Sequence, residues 1–342
     1  MISIAMATYN GERFLEEQLH SLNQQVTPPR EMVICDDRST DMTGDLLGRF
    51  ARQASFPVRL FTNDRRLGWR RNFLQAASLC TSEYVAFCDQ DDVWLSQKLA
   101  VVESYLRQKS CILLQHGFRL IDDQGNVISG DMDWEHLEQR EAPWRHSYGL
   151  TQIFHRSLLE FTDLWESSED HFDPGQHMGH DHWIRFLTSL LGHPVSIKEV
   201  LLYYRQHTNS VVGWWSPADR VKPNTIAELM RTFGSKEFKK RKRQELITFM
   251  ERRVAAASAR GTIARKVAAR VDAERAPQAL SKAGFYSDYT QYLAARLSAY
   301  QSSDRGQRVS AMLSAVRKGQ YRARGKRGAR DAAIDVLYGV MG

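Results

Sequence analysis

The sequence predicts an α/β protein, a mostly parallel sheet with helices on both faces, followed by an α-helical C-terminal region. Three observations predict it. Short apolar runs alternate with amphipathic helical patterns from Ser3 to Arg107. Polar clusters follow three of those apolar runs. Beyond Asn224 the pattern turns helical and strongly basic. A strand-helix alternation of this kind belongs to a parallel, right-handed sheet.

Each element has its own signal. Ser3 to Ala7 reads as a first strand, and Arg13 to Leu22 as an amphipathic helix carrying Phe14, Leu15, Leu19 and Leu22. Glu31 to Cys35 is a second strand, after which Ser39 or Thr40 can cap a helix with Asp41 in its first turn. Val58 to Phe61 is a third strand and Asn72 to Leu79 a helix. Tyr84 to Cys88 is a fourth strand, followed by a helix over Ser96 to Arg107. Between about 110 and 215 the pattern is mixed, with short strands, Trp-rich and His-rich loops, and a helix over Trp183 to Leu191. The rear holds Ala-rich helical stretches such as Val254 to Ala259, interrupted by Pro277, Gly284 and Gly306. The expected division is residues 1–215 as a catalytic domain and 216–342 as a basic helical region.

At 342 residues, 42% hydrophobic and 25% charged, the chain is long enough to bury a real core. No apolar run approaches the ~20 residues that cross a bilayer. The first residues lack the basic flank and apolar length of a signal segment, so a cytoplasmic location is expected. Cys35, Cys80, Cys88 and Cys111 show no CxxC spacing and read as small buried hydrophobes. The net charge of +7 hides a split: from Ser216 onward there are 27 Lys+Arg against 11 Asp+Glu, leaving 20 against 29 before it. The cluster 239–243 lacks interleaved aromatics, which argues against nucleic acid; a second basic cluster covers 322–330. They read either as solvated helix faces or as attraction to an anionic membrane surface. On the second reading, Phe238, Leu246, Met250, Ile334, Val336 and Leu337 would supply apolar contact.

Ligands of parallel sheets bind at the carboxyl ends of the strands. Thr8-Tyr9-Asn10, Asp36-Asp37 and Asp89-Gln90-Asp91-Asp92 all lie there. Three carboxylates in four residues repel one another unless a cation neutralises them. Oxygen ligands of this kind, with substrate phosphates, suit Mg²⁺ or Mn²⁺. Asp92 reads equally as a helix N-terminal residue. Asp36 and Asp37 can accept hydrogen bonds from a nucleobase or ribose, or cap the following helix. Asp181, in Gly179-His180-Asp181-His182-Trp183, reads as a general base or as a cap. His207 alone is a weak ligand candidate, since lone histidines are usually structural.

Ala7-Thr8-Tyr9-Asn10-Gly11, Cys35-Asp36-Asp37-Arg38-Ser39-Thr40-Asp41, Leu67-Gly68-Trp69-Arg70-Arg71-Asn72-Phe73 and Phe87-Cys88-Asp89-Gln90-Asp91-Asp92-Val93-Trp94 occur in that order. Gly179 to Trp183 and Tyr204-Arg205-Gln206-His207-Thr208-Asn209-Ser210-Val211-Val212-Gly213 follow. Together they resemble the family-2 glycosyltransferases of the GT-A fold, particularly bacterial rhamnosyltransferase-like members, over about the first two-thirds of the chain. Each motif alone is weak; six in order are specific.

The resemblance implies an inverting, metal-dependent, hexosyltransferase-like enzyme. It would move a sugar from a nucleotide-diphosphate donor, UDP- or dTDP-linked, to a hydroxyl of a glycan or lipid-linked acceptor. Polysaccharide biosynthesis at the inner face of the cell membrane, with peripheral attachment, fits that role. It implies a nucleotide pocket lined by Thr8, Tyr9, Asn10, Glu12, Asp36, Asp37, Arg71 and Asn72. Asp89 would face the ribose or the metal shell, Asp91 the metal, and His207 would complete the metal and diphosphate site. Asp181 would take the acceptor proton. Arg38 stands where Gly is commonest, Ser210 where Asn is usual, and Gly149-Leu150-Thr151-Gln152 replaces a Gly-Cys-like loop in the acceptor region. Two other classes compete: a metal-dependent sugar-phosphate nucleotidyltransferase, which would need a Gly-rich phosphate loop that Asn10-Gly11 is not, and a non-catalytic nucleotide-sugar-binding protein.

Overall fold

The computed structural model describes residues 1–109, 111–132, 148–173, 175–207, 236–302 and 304–317. The chain divides into two compact units. One comprises Met1–Glu166 with Met178–Trp214, the other Ser167–His177 with Trp215–Gly342.

The first unit is built on one eight-stranded sheet. Its elements run β1 (Ile2–Thr8), α1 (Glu12–Asn23), β2 (Glu31–Asp36), α2 (Thr43–Gln53), β3 (Val58–Thr62), α3 (Trp69–Leu79), β4 (Tyr84–Cys88), β5 (Val93–Trp94), α4 (Lys98–Gln108), β6 (Leu113–Ile121), β7 (Gln152–His155), α5 (His180–Leu191) and β8 (Val195–Arg205). Short 3₁₀ segments, Gly149–Thr151 and Arg156–Ser167, flank β7. The strand order is β3-β2-β1-β4-β7-β6-β8-β5. β1 pairs in parallel with β2 and β4, β2 with β3, and β6 with β8. β7 is antiparallel to both its neighbours, and β5 to β8.

All seven residues of β1, six of β2 and five of β4 are buried, as expected where both faces of a parallel sheet are covered. Ile2, Ile4 and Met6 share a core with Leu15, Leu19 and Leu22 of α1 and with Leu99 and Val102 of α4. Those α1 leucines recur at the helical spacing that puts them on one stripe. α3 packs against β1 and β2. Because β1, β2 and β4 are parallel neighbours, Thr8, Asp36 and Asp89 emerge at one edge.

Three expectations need correction. Neither Ser39 nor Thr40 caps α2; it starts at Thr43, and Asp41 Oδ1 accepts the Thr43 amide at 3.0 Å. Ser39 serves the neighbouring loop instead. α3 and α5 begin three residues before Asn72 and Trp183, at Trp69 and His180, behind Gly68 and Gly179. Asp181 therefore lies inside the first turn of α5 and is not its cap.

The second unit contains α6 (Lys236–Ala268), α7 (Ala276–Gln301) and α8 (Arg305–Arg317). Pro277 sits at the start of α7, where its missing N–H costs nothing, while Gly284 interrupts no helix. Ala256, Ala257, Ala264, Ala279 and Ala283 are buried, small residues where the long helices meet. Met250 is fully buried too, so it is not free to contact a membrane. Arg243 Nε donates to the Tyr300 carbonyl at 2.8 Å, its Nη2 to Ser302 O at 2.8 Å, and Arg308 Nη1 to Ser302 O at 3.1 Å. Two cations thus close the carboxyl end of α7, where carbonyls lack helical partners. Part of the 239–243 cluster is structural. Residues 322–330, and Ile334, Val336 and Leu337, lie outside the described residues, as does the side chain of Phe238. Among the described residues, no helix is long and apolar enough to cross a membrane.

The four cysteines are free, three buried and Cys111 half-buried. Burial pushes the Cys35 thiol up to about 11 and Cys80 to about 12, which makes them inert, as expected of core residues.

Candidate active site

The sheet edge is shaped first by the β1 and β2 turns. Asn10 and Arg38 both take positive φ, 45° and 64°. Asn tolerates that region, whereas Arg at the usual Gly position carries strain of about 1–2 kcal/mol. The turns are laced together: Thr8 Oγ1 donates to Asp36 Oδ1 at 2.9 Å, Asn10 N to Ser39 Oγ at 2.9 Å, and Thr40 N to Asn10 Oδ1 at 2.9 Å. Glu12 Oε2 accepts the Met42 amide at 2.9 Å. Asp36 also accepts Ser39 N at 2.8 Å and Ser39 Oγ at 2.5 Å.

Asp37 is buried and accepts Asn63 Nδ2 (2.9 Å), Leu67 N (2.7 Å) and Gly68 N (2.8 Å). It fixes the glycine turn that starts α3. Tyr9 lies under the Arg66 guanidinium, 3.7 Å from the ring centroid. The structure thus gathers Thr8, Tyr9, Asn10, Glu12, Asp36 and Asp37. Arg71 and Asn72 are turned elsewhere. Arg71 pairs with Glu166 at 3.0 Å, both exposed. Asn72 is buried, donating to the Cys35 carbonyl at 2.8 Å and accepting from Asn63. Helical phase explains the difference, since adjacent residues of α3 face apart.

β4 ends in the acidic loop. His207 Nε2 meets Asp91 Oδ2 at 2.8 Å, so residues 116 positions apart are brought together by the end of β8. Asp89 is half-buried, and its carboxyl is pushed up to about 8 by burial, then by the charges of Asp91 and Asp181, with Lys98 opposing. Asp181 is therefore within electrostatic reach of the loop. Gln152 Nε2 holds the Asp181 carbonyl at 3.1 Å. Among the described residues, no three His, Cys, Asp or Glu side chains already form a metal cluster. The donor chemistry still fits a divalent cation: a carboxylate and an imidazole touch, and a second carboxylate stands beside them crowded by like charge.

Four residues that support this loop or lie beside it were given no role by the sequence. Arg205 is buried; its Nε donates to Asp91 O (2.9 Å), Nη1 to Asp122 O (3.2 Å) and Nη2 to Glu17 (2.5 Å), while its backbone N donates to Asp92 Oδ1 (3.1 Å). Its guanidinium lies over Phe14, whose ring also meets His207 at 4.9 Å. Lys98 is fully buried, bonded to the Leu150 carbonyl at 3.0 Å and seated over Trp94. Burial brings its ammonium down to about 7. Gln18 Nε2 holds the Asp89 carbonyl at 3.1 Å, and Gln90 grips Tyr9. Gln90 and Arg205 stand inside recognised motifs, which was the one available signal; Lys98 and Gln18 stand in none.

Comparison with known proteins agrees with this geometry. Residues 3–166 match the model of glycosyl transferase family 2. Rv1520, an uncharacterised protein of Mycobacterium tuberculosis, is 26% identical over 215 residues, 61% of this chain and 60% of that protein. The chain thus spans about 60% of the length of that relative. WfgD of Escherichia coli, a UDP-Glc:alpha-D-GlcNAc-diphosphoundecaprenol beta-1,3-glucosyltransferase, is 25% identical over 183 residues, 50% of this chain and 67% of that protein. The crystal structure of TarS from S. aureus superposes with a TM-score of 0.50 at 16% identity, covering 99% of this chain and 54% of that one. That likeness concerns the fold alone.

Proposed function

The chain belongs, through residues 3–166, to glycosyl transferase family 2 with the GT-A fold, and from that premise we propose that it transfers a sugar with inversion from a UDP- or dTDP-linked donor to a hydroxyl of a glycan or lipid-linked acceptor. The product would enter a cell-surface polysaccharide. The observation that carries this reading is the meeting of Asp91 with His207 beside Asp89, within electrostatic reach of Asp181.

The roles follow from the chemistry of each group. The loops around Thr8, Tyr9, Asn10 and Glu12, shaped by Asp36 and Asp37, receive the nucleotide; Arg71 is exposed and free to swing from Glu166, whereas Asn72 acts by supporting Cys35. Asp91 and His207 would hold Mg²⁺ or Mn²⁺, with Asp89 shared between that ion and the ribose. Bound there, the ion supplies positive charge against the diphosphate leaving group. Asp181 removes the acceptor proton as the acceptor oxygen bonds to the anomeric carbon and the bond to the diphosphate breaks. One displacement inverts the centre and needs no covalent nucleophile. A lipid-linked acceptor is supported by WfgD, whose own acceptor is diphosphoundecaprenol-linked.

A panel of nucleotide sugars with Mn²⁺, read by thermal shift and then by release of nucleoside diphosphate, tests the reading. Turnover should need the metal and fall at least about 100-fold in Asp91→Ala, whose fold should persist because like charge has been removed. Pyrophosphate release from a sugar phosphate and a nucleoside triphosphate would instead select the nucleotidyltransferase. Ligand binding without any turnover would select the binding protein.

A further inference from the structure

Between the two metal-side carboxylates stands a neutral residue whose side chain leaves the acidic loop altogether. Gln90 Oε1 accepts the Tyr9 amide at 2.9 Å, and Gln90 Nε2 donates to the Tyr9 carbonyl at 3.2 Å. The last paired residues of β1 and β4 are Met6 and Cys88. Beyond them the two strands have no further ladder. The Gln90 carboxamide, with the same donor and acceptor as a peptide group, adds one more rung by side chain.

Room for that rung comes from Gly11. A Cβ there would stand 2.5 Å from Gln90 Oε1 and 2.7 Å from its Cδ. Gly11 has an ordinary φ of −99°, so handedness does not require glycine at this point; the space taken by Gln90 does. Both sides of the rung are tied to what surrounds them. Asn10 bonds to Ser39 and Thr40 on the nucleotide side, and Gln18 holds the Asp89 carbonyl on the other. A shift of the Tyr9–Asn10 backbone therefore pulls on the peptide between Asp89 and Asp91.

We propose that Gln90 is a positioning residue that couples the two ligands of this site, clipping the nucleotide loop at Tyr9 to the metal-side loop at Asp89–Asp92. The inference rests on the functional reading above and adds to the direct meeting of ion and diphosphate a second path, through the protein, by which nucleotide and metal sense each other. Such coupling is reciprocal: the factor by which UDP tightens Mn²⁺ equals the factor by which Mn²⁺ tightens UDP.

The test is calorimetry of Mn²⁺ binding to the full chain, with and without saturating UDP or dTDP. It is run on the wild type, Gln90→Ala, Gly11→Ala and the double variant. The wild type should show coupling within the ordinary 5–150-fold range. Gln90→Ala should lower that factor several-fold, leaving only the share that comes from direct contact between the ion and the diphosphate, while thermal midpoints stay close to wild type. Gly11→Ala should do the same by displacing the carboxamide, and adding it to Gln90→Ala should cost nothing further, the non-additivity expected of residues that touch. Unchanged coupling in Gln90→Ala, or losses that add in the double variant, would overturn the clip and leave the functional reading intact. A wild type that binds neither Mn²⁺ nor either nucleotide would overturn that reading, and the clip with it.

Discussion

Two pairs of carboxylates leave the same sheet edge, and they are used in opposite ways. Asp36 and Asp37, at the end of β2, each accept three hydrogen bonds from backbone amides and neutral side chains. Their charge is spent on holding turns. After β4, Asp91 meets His207, and the Asp89 carboxyl is driven up to about 8 by burial and by the charges of Asp91 and Asp181. Asp92 beside them is fully buried, with Oδ2 unpartnered, and is pushed well above the carboxylate range by burial and by its neighbours. A satisfied carboxylate stabilises the fold; a crowded one costs stability until a cation or a proton arrives. The contrast separates acids satisfied by the fold from acids left crowded, the set to which the proposed function assigns the chemistry.

The sharpest break in that comparison is Asp181→Asn. If Asp181 belongs to the working set, transfer to the acceptor should fall by roughly 10²–10⁴-fold, the usual worth of a general base. Donor and metal binding should persist. Folding stability should hold or rise slightly, because one like charge is removed from around Asp89. A transfer assay beside calorimetry with donor and Mn²⁺ decides it: an Asn variant that transfers at the normal rate moves Asp181 into the building set.

Asp37→Ala should give the opposite pattern. It strips an acceptor from two backbone amides and from Asn63, and charge-assisted bonds of this kind are worth about 1.5–3 kcal/mol in net terms. A loss of about 2–3 kcal/mol in urea unfolding is expected. Weakened nucleotide binding should follow as the Leu67–Gly68 turn loosens. Full stability with impaired nucleotide binding alone would mean that Asp37 waits for ligand rather than building the pocket.

What the sequence disclosed divides along similar lines. The apolar run Tyr84–Cys88 is β4 residue for residue, because a fully buried strand writes its burial into every position. The sequence places the starts of α3 and α5 three residues late because Gly68 and Gly179 precede them. A glycine N-cap offers no side chain to read, whereas Ser39 and Thr40 offered a capping signal that the structure spends on loop contacts. The acids themselves were legible from their place after apolar strands. Their supports were not. Gln90 reaches Tyr9 across 81 residues, and Arg205 reaches Glu17 across 188; no local period encodes partners that distant. Asn72 was legible as part of a motif, but only the helix phase reveals that it turns inward while Arg71 turns out.

The smallest expected effect concerns His180, which precedes Asp181 in α5 and packs into an aromatic wall. Its ring is buried, stacked on Phe73 with centroids 4.0 Å apart and set against the edges of Phe87 and Trp69. Burial brings its pKa down from 6.5 to about 4; Asp181 pulls it up, while His182 and Arg70 push it further down. The unfolded chain therefore binds the proton first as pH falls. Stability from this residue is complete above about pH 6.5 and is lost progressively down to about pH 4, where the folded form also titrates. At pH 5 the loss should be about 2 kcal/mol at 1.36 kcal/mol per pH unit. Urea midpoints for the wild type and His180→Phe, taken from pH 8 to pH 4.5, isolate this contribution. Any packing change from the new ring is common to every pH, so only the difference in slope below pH 6.5 reports the histidine. Parallel curves for the two proteins would show that His180 accepts its proton without unfolding anything, and would place it with the working groups beside Asp181 rather than with the wall.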